Sequence, residues 1–151
     1  AAPYNHFPNK QAMLAAISTA GHKLLYQTLL DAFERSKRSS TDIIIEIAWS
    51  YLQFALDDPS RFKLMFSGAL EEEREHPEFI EISQKNISLL EEIIVFCQSK
   101  GQLPEGKVED IAIKLWSLVH GFTYLVLEDQ FPREYMEAQN LKEMLKIAMS
   151  S

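Results

Sequence analysis

Glu73-Arg-Glu-His76 is the segment whose residue types come nearest to metal chemistry. A glutamate and a histidine three apart share one helix face, the spacing used by di-iron carboxylate bundles. That chemistry needs two such pairs and two more inward glutamates, and the chain supplies one pair inside the charge run EEEREH (71–76). The run reads instead as a solvated loop or frayed turn before Pro77. The four histidines, at 6, 22, 76 and 120, form no HExxH, and the single cysteine, Cys97, leaves no zinc set. No phosphate loop and no nucleophile elbow is present. The expectation is a chain that is not an enzyme and uses no metal and no cofactor, with Cys97 as a small buried hydrophobe.

Binding is the better-supported chemistry. Trp116 and His120 are four apart and share a helix face. They either line a ligand cavity between their helix and those at 42–56 and 77–100, or form a core tryptophan beside a hydrogen-bonded histidine. Trp49, Phe54, Met65, Phe66, Leu90 and Phe96 are further candidates, each also readable as plain core. Asn86 is polar on a mainly apolar helix, which places it on a cavity wall or in solvent.

The elements that position these residues are helical. Apolar residues at 13, 14, 17, 24, 25, 29, 32 and 33 follow one helix face from Lys10 to about Ser36. Asn9 is its expected N-cap. A second helix opens at Thr41/Asp42 and runs to Leu56. Asp58 and Pro59 start a short one that closes near Gly68. Pro77 opens a long helix that stops at Lys100 and Gly101. Val108–Glu128 and 134–148 complete an all-α bundle of six helices. Its 151 residues suffice for one domain with a sizeable core.

With 15 Lys+Arg against 22 Asp+Glu, the net charge is −7. Such a surface repels phosphate, so the chain as given is expected to bind nucleic acid poorly. One cysteine permits no internal disulfide and fits a reducing compartment, the cytoplasm. The longest apolar stretch, LWSLVHGFTYLVL (115–127), contains His120 and reads as too short and too polar to span a bilayer.

That same helix is apolar in almost every direction, through Leu115, Trp116, Leu118, Val119, Phe122, Tyr124 and Leu125. A second copy of the chain is the simplest cover. The expectation is a homodimer through residues 108–148, two helices from each chain. A central helix wrapped by its own neighbours is the alternative. Gly121 would let a neighbouring backbone approach closely.

YNHFPNKQAML (4–14) resembles the joint between the DNA-binding head and the ligand-binding body of TetR-family transcriptional regulators. Tyr4, His6, Phe7, Asn9, Lys10 and Leu14 stand at the matching positions. WSLVHG (116–121) and YLQFALDDPSRFKLMFSG (51–68) resemble the WHG-type C-terminal domain of a subset of that family. The resemblance implies that residues 1–8 are a remnant of the recognition helix and 9–151 a ligand-binding and dimerisation domain. The first helices of the helix-turn-helix have no counterpart here, and Ala1 stands where an initiator methionine would. The chain therefore reads as a processed or truncated piece that binds operator DNA only in the intact protein. By the same resemblance Tyr4 and Lys10 would touch backbone phosphates, with His6 beside them. The implied function is a bacterial regulator, a repressor by expectation, released from DNA by a small apolar ligand. The rival is a stand-alone helical protein that binds small molecules and has no DNA role.

Overall fold

The computed structural model describes residues 9–39, 42–68 and 70–150. Tyr4, His6 and Phe7, and with them the proposed head remnant 1–8, lie outside the described residues. Among those residues every regular element is helical: α1 (Lys10–Ser39), α2 (Ile43–Asp57), α3 (Pro59–Met65), a 3-10 turn (Glu71–Glu75), α4 (Pro77–Ser99), α5 (Val108–Leu127), α6 (Arg133–Ala138) and α7 (Leu141–Met149).

The helix starts follow from short polar side chains that accept otherwise orphaned backbone N–H groups. Asn9 Oδ1 accepts from Ala12 N at 2.8 Å, Asp42 Oδ1 from Ile45 N at 3.2 Å, and Asp58 Oδ1 from Arg61 N at 3.0 Å. α4 ends before Gly101, whose φ of 73° lies in the left-handed region that glycine tolerates.

Among the described residues seven α-helices stand where six are expected, because the last one is two. Gln139 is extended, and Asn140 caps α7 by accepting from Glu143 N at 2.9 Å. Asn140 and Glu143 have the spacing of a capping box, a signal strong enough to restart the helix. α3 ends at Met65, short of Gly68. The charge run is neither a loop nor solvated throughout: it forms the 3-10 turn, and Glu73 is 4% exposed.

α1 lies across α2, α3 and α4, and α5 packs on α2, α4 and α7. The core has two lobes. One gathers Tyr51, Leu52, Phe54, Phe62, Phe122 and Leu145, the other Ala32, Phe33, Ile43, Leu89, Ile93 and Cys97. Burial pushes the Cys97 thiol up to about 11, so it behaves as an inert apolar side chain.

α5 is twenty residues long, and by length and composition it reaches the range of a membrane-crossing helix, beyond the thirteen-residue stretch read from the sequence. It opens with Glu109 and Asp110 and turns Leu115, Val119, Phe122 and Thr123 into the bundle. Its opposite side exposes Ile113, Trp116 and Leu125. No neighbouring backbone closes on Gly121 in the single chain: a Cβ there would meet nothing within 4 Å. The close approach is at Gly21, where a Cβ would stand 2.6 Å from Met65 Sδ, and this lets α3 seat against α1.

Candidate functional site

Between the two lobes of the core lies a cavity of about 330 Å³. That volume is within the range of small-molecule sites. α1 contributes His22, Leu25 and Leu29; α2 contributes Ile44, Ile47, Ala48 and Tyr51. Met65, Phe66 and Leu70 close one end, Asn86, Leu90 and Ile93 of α4 one side, and Leu115, Trp116 and Val119 of α5 the other. Ile87 and Trp116, 50% and 46% exposed, mark a mouth between α4 and α5.

The wall's polar groups are mostly committed. His22 Nε2 lies 3.0 Å from the Met65 carbonyl, which only accepts, so the proton sits on Nε2 and Nδ1 is left as an acceptor. Burial lowers the His22 pKa below the ordinary value, opposed by the Met65 hydrogen bond and the Glu73 charge, and the ring is neutral near pH 7. Glu73 accepts from Ser18 Oγ and Thr19 Oγ1, each at 2.9 Å. Asn86 Nδ2 donates to the His22 carbonyl at 3.4 Å, while its Oδ1 is buried and has no partner.

A second polar chain runs along the α2–α5 side. The Trp116 indole, a donor only, stands near the Tyr51 hydroxyl and favours its ionised form, against the larger effect of burial. Tyr51 Oη is 2.6 Å from His120 Nδ1. Among the described residues the Tyr51 proton has no other acceptor, so it is donated to Nδ1 and the His120 proton sits on Nε2. Burial raises the Tyr51 pKa above the ordinary phenol range and lowers that of His120, keeping both neutral. Phe66 stands edge-on to both histidines, its centroid 5.2 Å from His22 and 4.6 Å from His120.

Of the residues singled out from the sequence, Met65, Phe66, Asn86, Leu90 and Trp116 line the cavity. His120 stands behind Tyr51 rather than on the wall. Trp49 packs beside the first lobe with Lys142 over its ring, Phe54 faces Phe62 and the Arg61 guanidinium, and Phe96 packs on Phe33. Sequence alone marks neither His22 nor Tyr51 as a cavity residue and offers Glu73 only as a metal ligand. Ser18, Thr19 and His22 do form a polar cluster on the inner face of an otherwise apolar α1, and that was the available signal. Lys10 is exposed at the first residue of α1. The described residues hold no cluster of His, Cys, Asp or Glu that could bind a metal ion.

Residues 44–148 match the model of the tetracyclin repressor-like C-terminal domain. An uncharacterized HTH-type transcriptional regulator of Bacillus subtilis (strain 168), YobS, is 24% identical over 97% of this chain and 72% of its own length. A Rhodococcus sp. RHA1 protein of unknown function superposes with a TM-score of 0.73 at 21% identity, over 95% of this chain and 71% of that one. SCO4313, described as a regulatory protein, gives 0.65 at 19% identity over 97% and 76%. At these identities the two structures speak for the fold alone.

Proposed function

Since the chain belongs to the TetR family of transcriptional regulators through its C-terminal domain, we propose that residues 9–151 are the ligand-binding and dimerisation body of a cytoplasmic repressor. Residues 1–8 are the end of its DNA-reading head, with Tyr4 and Lys10 at the phosphate backbone and His6 beside them. The observation that carries this reading is the 330 Å³ cavity walled on one side by α1, the helix that follows the head. A mainly apolar molecule entering there bears directly on α1. It shifts the protein between two body geometries only as far as its affinities for the two differ. In a homodimer a swing of α1 changes the spacing of two recognition helices, which must match half-sites about 34–36 Å apart. The partner copy covers Ile113 and Leu125 of α5 together with Ile147 of α7, all exposed in the single chain.

The test is operator binding by the full-length regulator, followed by fluorescence anisotropy on DNA flanking its own gene. A compound that fills the cavity should release the DNA. Absence of any specific operator, or release that ignores cavity-blocking substitutions such as Ala48→Phe, would overturn the reading. A stand-alone binding protein would keep the cavity and have no operator.

A further inference from the structure

The cavity has a polar end and an apolar end. His22, Glu73 and Asn86 lie at the level where α1 meets the 3-10 turn and the first half of α4, whereas Leu29, Ile47 and Ile93 line the far end. A molecule matching both ends has an apolar body and a polar head. The chemistry of that head follows from which hydrogen-bonding roles the wall leaves open.

The open roles are acceptors. The His22 carbonyl can only accept, so the Asn86 amide nitrogen must face it, and this fixes Oδ1 as the atom left without a partner. Neutral His22 offers Nδ1 as a further acceptor. Glu73 is a buried carboxylate held by two neutral hydroxyls, and among the described residues no lysine or arginine pairs with it. A buried carboxylate ordinarily has a cation at hand, because its desolvation is costly otherwise. Arg74 also lines the cavity but is exposed, where water screens its charge. Around the same end stand the rings of Phe66 and Phe79, whose π faces favour a cation over an anion.

We propose that the ligand is a lipophilic organic cation, an ammonium- or amidinium-type head on an apolar body, whose N–H groups meet Asn86 Oδ1 and whose charge offsets that of Glu73. This rests on the reading of the cavity as a ligand site and adds the chemistry of the head.

Three probes that share a chain and differ only in the head separate the two: octylammonium, octanol and octanoate, titrated into the full chain by isothermal calorimetry. Octylammonium should bind at least about tenfold more tightly than octanoate, the worth of one charge-assisted hydrogen bond. Asn86→Leu and Glu73→Gln should each bring octylammonium down to the affinity that octanol has for the same variant. Thermal melts confirm that both variants fold. Octanoate binding as well as octylammonium, which Arg74 would mediate, overturns the proposal while the cavity reading stands. Octylammonium binding that persists unchanged in Asn86→Leu is attraction to the acidic surface and overturns it too. If none of the three probes binds, the cavity reading itself fails.

Discussion

The Glu73 carboxylate lies 2.9 Å from the hydroxyl of Ser18, fifty-five residues earlier in the chain, and ties the 3-10 turn to the inner face of α1. Thr19 adds a second hydroxyl at 2.9 Å on the other oxygen. Both donors are buried with the acceptor. Glu73→Ala should therefore leave two buried hydroxyls without an acceptor and lower stability by about 2–4 kcal/mol. Urea unfolding followed by circular dichroism measures this. A loss below about 0.5 kcal/mol, the ordinary range for exposed positions, would show that the tether contributes nothing.

That tether also shows where the sequence stopped being readable. The starts of α1, α2 and α3 and the end of α4 are legible because their signals are local: Asn9, Asp42, Asp58, Pro59 and Gly101 each act within one turn of where they stand. Glu73 is not legible, because an acidic run looks solvated until a distant Ser18 and Thr19 are brought beside it. The same holds for Tyr51, whose partner His120 is sixty-nine residues away. Trp116 could be placed on a cavity wall from its helix and spacing, while Phe54 and Phe96, with equal claims in the sequence, turn away toward Phe62 and Phe33. The phase of one helix gives a side chain's direction, but which helix faces it is a property of the whole bundle.

Two histidines make stability depend on pH in a stated direction. Burial lowers the pKa of both His22 and His120 from 6.5, so the unfolded chain takes up protons first as pH falls. Above about 6.5 both states are neutral at these sites and no penalty applies; below it the unfolded state gains, until the folded histidines titrate as well. The melting temperature should drop between about pH 7 and pH 5, before most carboxylates titrate. His22→Gln should flatten that dependence. A profile equally steep in the variant would remove His22 from the account.

The exposed side of α5 makes a prediction about assembly. Leu125 is exposed in the single chain, beside Gly121, above which no atom stands within 4 Å of a Cβ position. Leu125→Glu should leave the fold's stability within about 0.5 kcal/mol, as for other exposed positions. If this face joins two copies, the same substitution places like charges across the two-fold axis. Sedimentation should then show a dimer for the unaltered chain and a monomer for the variant. A variant that sediments as the unaltered chain does would place the interface elsewhere.

Tyr51 connects the cavity to that outer face. Its hydroxyl donates to His120 at 2.6 Å and stands near the Trp116 indole, which is at once at the mouth and on the exposed side of α5. Tyr51→Phe keeps the ring packed on Phe62, 5.5 Å between centroids, and removes only the oxygen. The His120 nitrogen then loses its donor, at a cost of about 1–3 kcal/mol. The Trp116 indole then loses the polar oxygen near it, so its emission should shift, read against the unchanged Trp49. In the unaltered chain a molecule seated against Tyr51 lies beside the same indole, since both line the cavity, and its entry should shift Trp116 emission without touching the outer face. Emission that stays fixed both in Tyr51→Phe and on saturation of the cavity would mean that the interior and the α5 face are not linked through Tyr51.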